Sequence, residues 1–264
     1  MQALKIVFKA IALICLMGFS CNLVLQFISY AFYKRAKQIT RVTIQPVKIQ
    51  INDALTGYGC HLETKSNKVI ILLGGSNYIA YNTIGRFGGY YNCPVLSVDY
   101  YGTQESLGKM NLQTMQRSVT DLYDWAKAHY PESQVSVIGH SYGCGMAAYL
   151  ASVRPCQNLI LLAAYRNLAD LYNKILPIFW GPVARLITNN IDVVSYAKAT
   201  KCPVYVIGSH SDRTLSAALQ EKVAHCYNKA QLFIYKDITH ENYLAEGPVI
   251  QKLHHIIGLG KEHS

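Results

Sequence analysis

Acidic residues are absent from the first 48 positions, and charge is scarce throughout: Asp, Glu, Lys and Arg make up 15% of the 264 residues. That leader nevertheless holds Lys5, Lys9, Lys34, Arg35, Lys37, Arg41 and Lys48, so it supplies seven of the ten net positive charges. The rest of the chain is only mildly basic, and the excess flanks an apolar segment, where membrane proteins keep such charge. This distribution argues against a nucleic-acid partner. Also missing are C-x-x-C pairs and any Cys/His spacing suited to zinc, which leaves a structural metal or a cofactor without support. No internal repeat or low-complexity tract appears. Of the eight cysteines, Cys156, Cys202 and Cys226 each come shortly before a β-rich run. A bridge across neighbouring strands ~4.8 Å apart is geometrically open to them. The reading preferred here is that they are reduced and buried as small hydrophobes.

What is present begins with Ala10 to Tyr33, 24 uncharged residues reading AIALICLMGFSCNLVLQFISYAFY. As a helix this run is long enough to cross a hydrocarbon core of roughly 30 Å. Residues 1–38 are expected to be an uncleaved membrane anchor, with contact to lipid through residues 10–33. Three alternatives compete. A cleaved signal peptide would use Gly18 and Ser20 before Cys21, but the apolar run continues well past that site. A lipoprotein would be modified at Cys21, and Gly18 stands where a Leu is expected. An amphipathic surface helix would need a polar side, and only Asn22 and Gln26 offer one. Two lysines precede the segment and four basic residues follow it, a small bias toward a cytoplasmic body.

Residues 39–264 are expected to form one domain. The run 42–51 alternates like a strand, with Pro46 suggesting a sheet edge, and a second strand near 55–62 would pair with it. Then KVIILLGG at 68–75 reads as a buried parallel strand. Short β-rich runs follow at 94–100, 134–140, 158–164, 203–209 and 231–237, separated by helical stretches. In one of these, Leu112, Met115, Val119, Leu122 and Ala126 fall at helical spacing. Alternating strands and helices predict a three-layer α/β domain with a parallel sheet. The irregular segment at about 165–200 emerges from the ligand-binding end of that sheet and is expected to form a small cap, with Ile178, Phe179 and Trp180 as exposed apolar residues.

The chemistry centres on Gly139-His140-Ser141-Tyr142-Gly143, between the strand QVSVI and the helix CGMAAYLA. This is a G-x-S-x-G nucleophile elbow on the strand, turn and helix that the motif requires. A serine hydroxyl needs a base to take its proton and a carboxylate to orient that base. After the penultimate strand comes Gly208-Ser209-His210-Ser211-Asp212-Arg213, and after the last strand Asp237-Ile238-Thr239-His240-Glu241-Asn242. Both loops leave the sheet edge that bears Ser141. Ser141 is therefore the candidate nucleophile, His240 the base and Asp212 the acid. Asp170 and Asp237 compete with Asp212, which is preferred because it follows the penultimate strand. His210 and Glu241 are read as solvated neighbours. For the oxyanion, backbone N–H groups of Tyr142 and of Ser76, in the loop Gly74-Gly75-Ser76-Asn77-Tyr78, are the candidate donors.

Over residues 42–258 these motifs, LLGGSN, SVDYYGTQESLG, GHSYGCG, KCPVYVIGSHSD and ITHEN, resemble those of membrane-anchored α/β-hydrolase-domain proteins and their bacterial serine aminopeptidase-like relatives. Two departures stand out: Gly74 replaces a loop histidine, and Tyr101 stands where arginine is common. The resemblance implies an α/β-hydrolase fold, with a mostly parallel sheet, helices on both faces and a short cap. It also implies hydrolysis of carboxylic esters, thioesters or acyl lipids through an acyl-serine intermediate. A lipid or lipidated substrate, its acyl chain received by Ile178, Phe179 and Trp180, is the expectation that follows from the anchor. Peptidase, amidase or acyltransferase activity, or a non-catalytic membrane-tethered scaffold, are the alternatives.

Overall fold

The computed structural model describes residues 2–75 and 79–259. Its strands are β1 (Val47–Asn52), β2 (Leu55–Cys60), β3 (Lys68–Leu73), β4 (Val95–Val98), β5 (Gln134–His140), β6 (Asn158–Leu162), β7 (Val204–Ser209) and β8 (Gln231–Tyr235). They form one sheet in the order β1-β2-β4-β3-β5-β6-β7-β8. β1 pairs antiparallel with β2, and β2 with β4; all the other pairings are parallel. β1 begins only after Pro46, because proline has no N–H to give to a ladder, and it lies at the sheet edge. The central strands β3, β5 and β6 are buried almost throughout, as strands covered on both faces must be.

The helices are α1 (Gln2–Arg35), α2 (Ala80–Phe87), α3 (Leu112–His129), α4 (Gly143–Val153), α5 (Leu168–Ile175), α6 (Val193–Ala199), α7 (Ala217–Ala224) and α8 (Gly247–Ile257). α3 starts on a capping box in which Asn111 and Thr114 exchange side-chain and backbone hydrogen bonds. It buries Met115, Val119, Leu122 and Ala126, the stripe that the spacing predicted. α5, a 3-10 turn at Gly181–Leu186 and α6 occupy the segment between β6 and β7, for which the name cap is kept below.

α1 is longer than the expected span, and residues 4–35 are long and apolar enough to cross a membrane. Residue 2 and residues 4–17 are exposed on all sides. From Gly18 onward one face is packed: Gly18, Asn22, Leu25, Gln26 and Tyr33 are buried, at the spacing of a single helical stripe. A side chain at Gly18 would come within 2.8 Å of Leu186 in the cap. Asn22 Nδ2 donates to Thr188 Oγ1 at 3.0 Å, and Gln26 Nε2 donates to the Thr188 carbonyl. The two polar residues thus face the protein and not a solvated side of the helix. Nor does the expected boundary at residue 38 divide the packing, since the second half of α1 is built onto the cap. None of the eight cysteines is disulfide-bonded.

Candidate active site

β5 ends at His140, and the chain turns through Ser141 at φ 52° into α4. This left-handed backbone is unfavourable for a residue with a Cβ, by about 1–2 kcal/mol. It is held by a hydrogen bond from the Ser141 N–H to the Leu162 carbonyl of β6, at 2.9 Å. The flanking glycines are required by close approach. A Cβ at Gly139 would stand 2.7 Å from Ala147 Cβ, and one at Gly143 would stand 2.4 Å from the Leu73 carbonyl oxygen. Tyr142 caps α4 from the N-terminal side, so its N–H belongs to the donors that a helix start leaves without an internal partner.

The loops after β7 and β8 bring Asp212 and His240 to this turn. His240 Nδ1 donates to Asp212 Oδ2 at 2.9 Å, and Ser141 Oγ donates to His240 Nε2 at 2.9 Å. Ser209 ties the two loops together: its hydroxyl oxygen accepts from the N–H of Ser211 at 3.2 Å and of Ile238 at 3.0 Å. The Asp212 side chain is fully buried. Burial on its own raises a carboxyl pKa; here hydrogen bonds from His240 and from the N–H groups of Leu215 and Thr214 outweigh it and hold Asp212 below its ordinary value. The Tyr243 hydroxyl also donates to Asp212 Oδ2, at 3.3 Å. The competing carboxylates are engaged elsewhere or face water. Asp170 is bound by the Arg166 guanidinium at 2.7 and 3.0 Å, and Asp237 is exposed.

Three contributors to this arrangement were not singled out from the sequence. His140, at the first variable position of the motif, donates from Nε2 to the His240 carbonyl at 2.8 Å. Burial, then the nearby His240, lowers its pKa to about 4, so it is a neutral prop for the histidine loop. Tyr243 is fully buried beneath the acid. Asp99, just past the end of β4, accepts the Ala80 N–H of α2 at 2.8 Å. It thereby fixes the start of α2, although burial pushes its carboxyl up to about 7. No sequence pattern marks Tyr243, whereas Asp99 lies inside a stretch that carries the family resemblance.

Ser76 lies outside the described residues. In the cap, Ile178 is half-buried, Trp180 is 65% exposed and Phe179 is 1% exposed. Phe179 packs against Tyr172 at 5.7 Å, and its N–H and carbonyl bond the Asn173 side chain. The three therefore do not form one exposed apolar surface: Phe179 is a core residue that holds the cap together. On the histidine side, a groove of about 690 Å³ is lined by His210, Ser211, Arg213, Thr214, Thr239, His240 and Glu241. Among the described residues, no group of three or more His, Cys, Asp or Glu is arranged to hold a metal ion.

The family model described as alpha/beta hydrolase fold matches residues 92–198, which include the elbow and most of the cap. The chain has the α/β-hydrolase fold. It is 34% identical over 86 residues to the human Protein ABHD12B, a match that covers 31% of this chain and 23% of that protein. The likeness thus spans about a quarter of that relative's length. Among solved structures, the Pyrococcus furiosus esterase Pf2001 is similar with a TM-score of 0.60 and 18% identity, over 85% of this chain and 97% of that one. A Pyrococcus horikoshii acylaminoacyl peptidase is similar with a TM-score of 0.60 and 13% identity, over 86% of this chain and 43% of that one. At such identities the likeness concerns the fold, and sites on a shared fold differ widely in what they do.

Proposed function

We propose that this hydrolase-fold chain is a serine hydrolase that cleaves carboxylic ester, thioester or acyl-lipid bonds through an acyl-serine intermediate. The observation that carries the reading is the unbroken hydrogen-bond chain from Ser141 Oγ through the His240 ring to the Asp212 carboxylate. The carboxylate holds Nδ1 protonated, which leaves Nε2 free to take the serine proton as Oγ attacks a carbonyl carbon. The tetrahedral oxyanion would then bind the Tyr142 N–H, at the positive end of α4, with Ser76 as the second donor. His240 returns its proton to the leaving oxygen or sulfur, and a water activated by the same ring releases the acyl group from Ser141.

Membrane attachment through α1 is part of the proposal. It is supported by the exposed apolar residues Phe8, Ile11, Phe19, Val24 and Phe27 along that helix, and it favours lipid or lipidated substrates. Labelling by a fluorophosphonate probe, lost in Ser141→Ala, tests the catalytic reading; folded wild-type protein that takes up no label refutes it. Equal cleavage of acetyl and long-chain p-nitrophenyl esters would remove the lipid part while leaving the rest. Paired ester and amide substrates separate esterase from peptidase action.

A further inference from the structure

We propose that the last turns of α1 form the acyl-side wall of the active site, and that Tyr33 limits how long an acyl group the site accepts. The proposal rests on the serine hydrolase reading and deepens it. A scissile carbonyl carbon at Ser141 has a leaving group, an oxyanion and an acyl group to place. The leaving group must lie toward His240, which protonates it, and that side opens into the polar groove holding His210 and Arg213. The acyl group is left the opposite side of the nucleophile, toward Tyr142. There the structure is closed by aromatic rings: Tyr33, Tyr100, Tyr142 and Tyr165 are all at most 7% exposed.

Tyr33 is the member of this cluster that comes from the N-terminal helix. Its ring meets Tyr100 edge-on at 5.3 Å and Tyr142 at 5.9 Å. Tyr142 in turn lies 6.4 Å from Tyr165, whose hydroxyl donates to the Tyr142 carbonyl at 3.0 Å. A tether would leave this turn free, but both of its ends are fastened. Asn22 and Gln26 bond Thr188 in the cap, and Gln104 Nε2 donates to the carbonyls of Tyr33 at 2.8 Å and Ala36 at 3.0 Å. Asn82 continues the attachment, donating to the Lys37 carbonyl and accepting from the Ile39 N–H. Tyr33 is thus held against the residue that follows the nucleophile. Removing its ring opens space on the acyl side without touching Ser141, His240 or Asp212.

The test uses the full chain in detergent micelles with p-nitrophenyl esters from acetate to dodecanoate, and a fluorophosphonate to count competent sites. Tyr33→Ala is expected to raise kcat/KM for the longest esters relative to acetate by about tenfold or more, the scale on which apolar pockets discriminate chain length. Labelling should be unchanged, and Tyr33→Phe should keep the wild-type ratio within about twofold. A Tyr33→Ala ratio within about twofold of wild type, with normal labelling, overturns the proposal. Should that variant fail to label, Tyr33→Leu decides by the same two criteria, and loss of labelling in both also counts against a specificity role. Wild-type protein that takes no label refutes the serine hydrolase reading itself, a different result from an unmoved ratio.

Discussion

Replacing Asp99 by Asn should make stability less dependent on pH and raise it in neutral and alkaline solution. Asp99 is 3% exposed and accepts one hydrogen bond from the Ala80 N–H, which an asparagine oxygen can also accept. Burial raises its carboxyl from 3.8 to about 7, with a smaller contribution from Glu105. Between those values the unfolded chain gives up the proton while the folded chain keeps it, so the folded state binds more protons and stability falls as pH rises. The stabilisation is complete below about pH 4 and is lost by about pH 7. From pH 5 to pH 8 roughly two units of that interval are traversed, and at 1.36 kcal/mol per unit the wild type loses about 3 kcal/mol relative to Asp99→Asn. Urea unfolding of both proteins in the same mild detergent at the two pH values measures this change, and any constant packing difference cancels. A gap between the two proteins that stays the same within about 0.5 kcal/mol would show that Asp99 does not titrate as its burial requires.

Other substitutions probe the remaining contacts. Asp212→Asn keeps the shape of the acid but leaves His240 Nδ1–H without its carboxylate, and kcat should fall by roughly 10³–10⁴ with a parallel slowing of fluorophosphonate labelling; a loss under tenfold contradicts the assignment of the acid. Gly143→Ala forces a methyl group to within 2.4 Å of the Leu73 carbonyl and 2.5 Å of that of Gly74, both backbone atoms that cannot step aside. A loss of about 3 kcal/mol, read as a fall in Tm of roughly 5–10 °C, is expected. Gln26→Leu removes a donor from the Thr188 carbonyl and should cost about 1–2 kcal/mol, seen as faster proteolysis of the cap with labelling of Ser141 retained.

Much of this arrangement is legible in the sequence because the relevant signals are local. Each β-rich run became a strand, and the serine turn carries its own glycines within five residues. Chain order singled out His240, the histidine whose ring bonds Ser141. The acid was not settled by order alone, since Asp170, Asp212 and Asp237 all precede His240; what separates them is spatial, an arginine on Asp170, solvent around Asp237 and the imidazole on Asp212. Contacts between distant segments have no local signature. Thus His140 bonds a carbonyl 100 residues away, and Tyr243 lies under an acid 31 residues earlier. Phe179 misled for a related reason: an apolar run looks the same whether its members turn outward or, as here, one of them plugs the core of the cap.

The N-terminal helix shows most clearly how averaging hides structure. Its mean hydropathy speaks of lipid, yet Gly18, Asn22, Gln26 and Ser29 recur at the spacing of one face, and that stripe meets the cap. The consequence for membrane attachment is geometric. The helix before Gly18, residues 2–17, reaches only about 24 Å at 1.5 Å per residue, short of a hydrocarbon core of about 30 Å. A span by α1 therefore has to include turns that also pack against the cap, which brings the cap to the bilayer surface. The outward residues of those turns, Phe19, Leu23, Phe27 and Phe32, are apolar and suit that position, and Lys34 and Arg35 would mark the end of such a span. With α1 inserted as proposed, one helix would have its outer face in lipid and Tyr33 against Tyr142, so the depth of the anchor and the proposed acyl side of the site would be set by the same few turns.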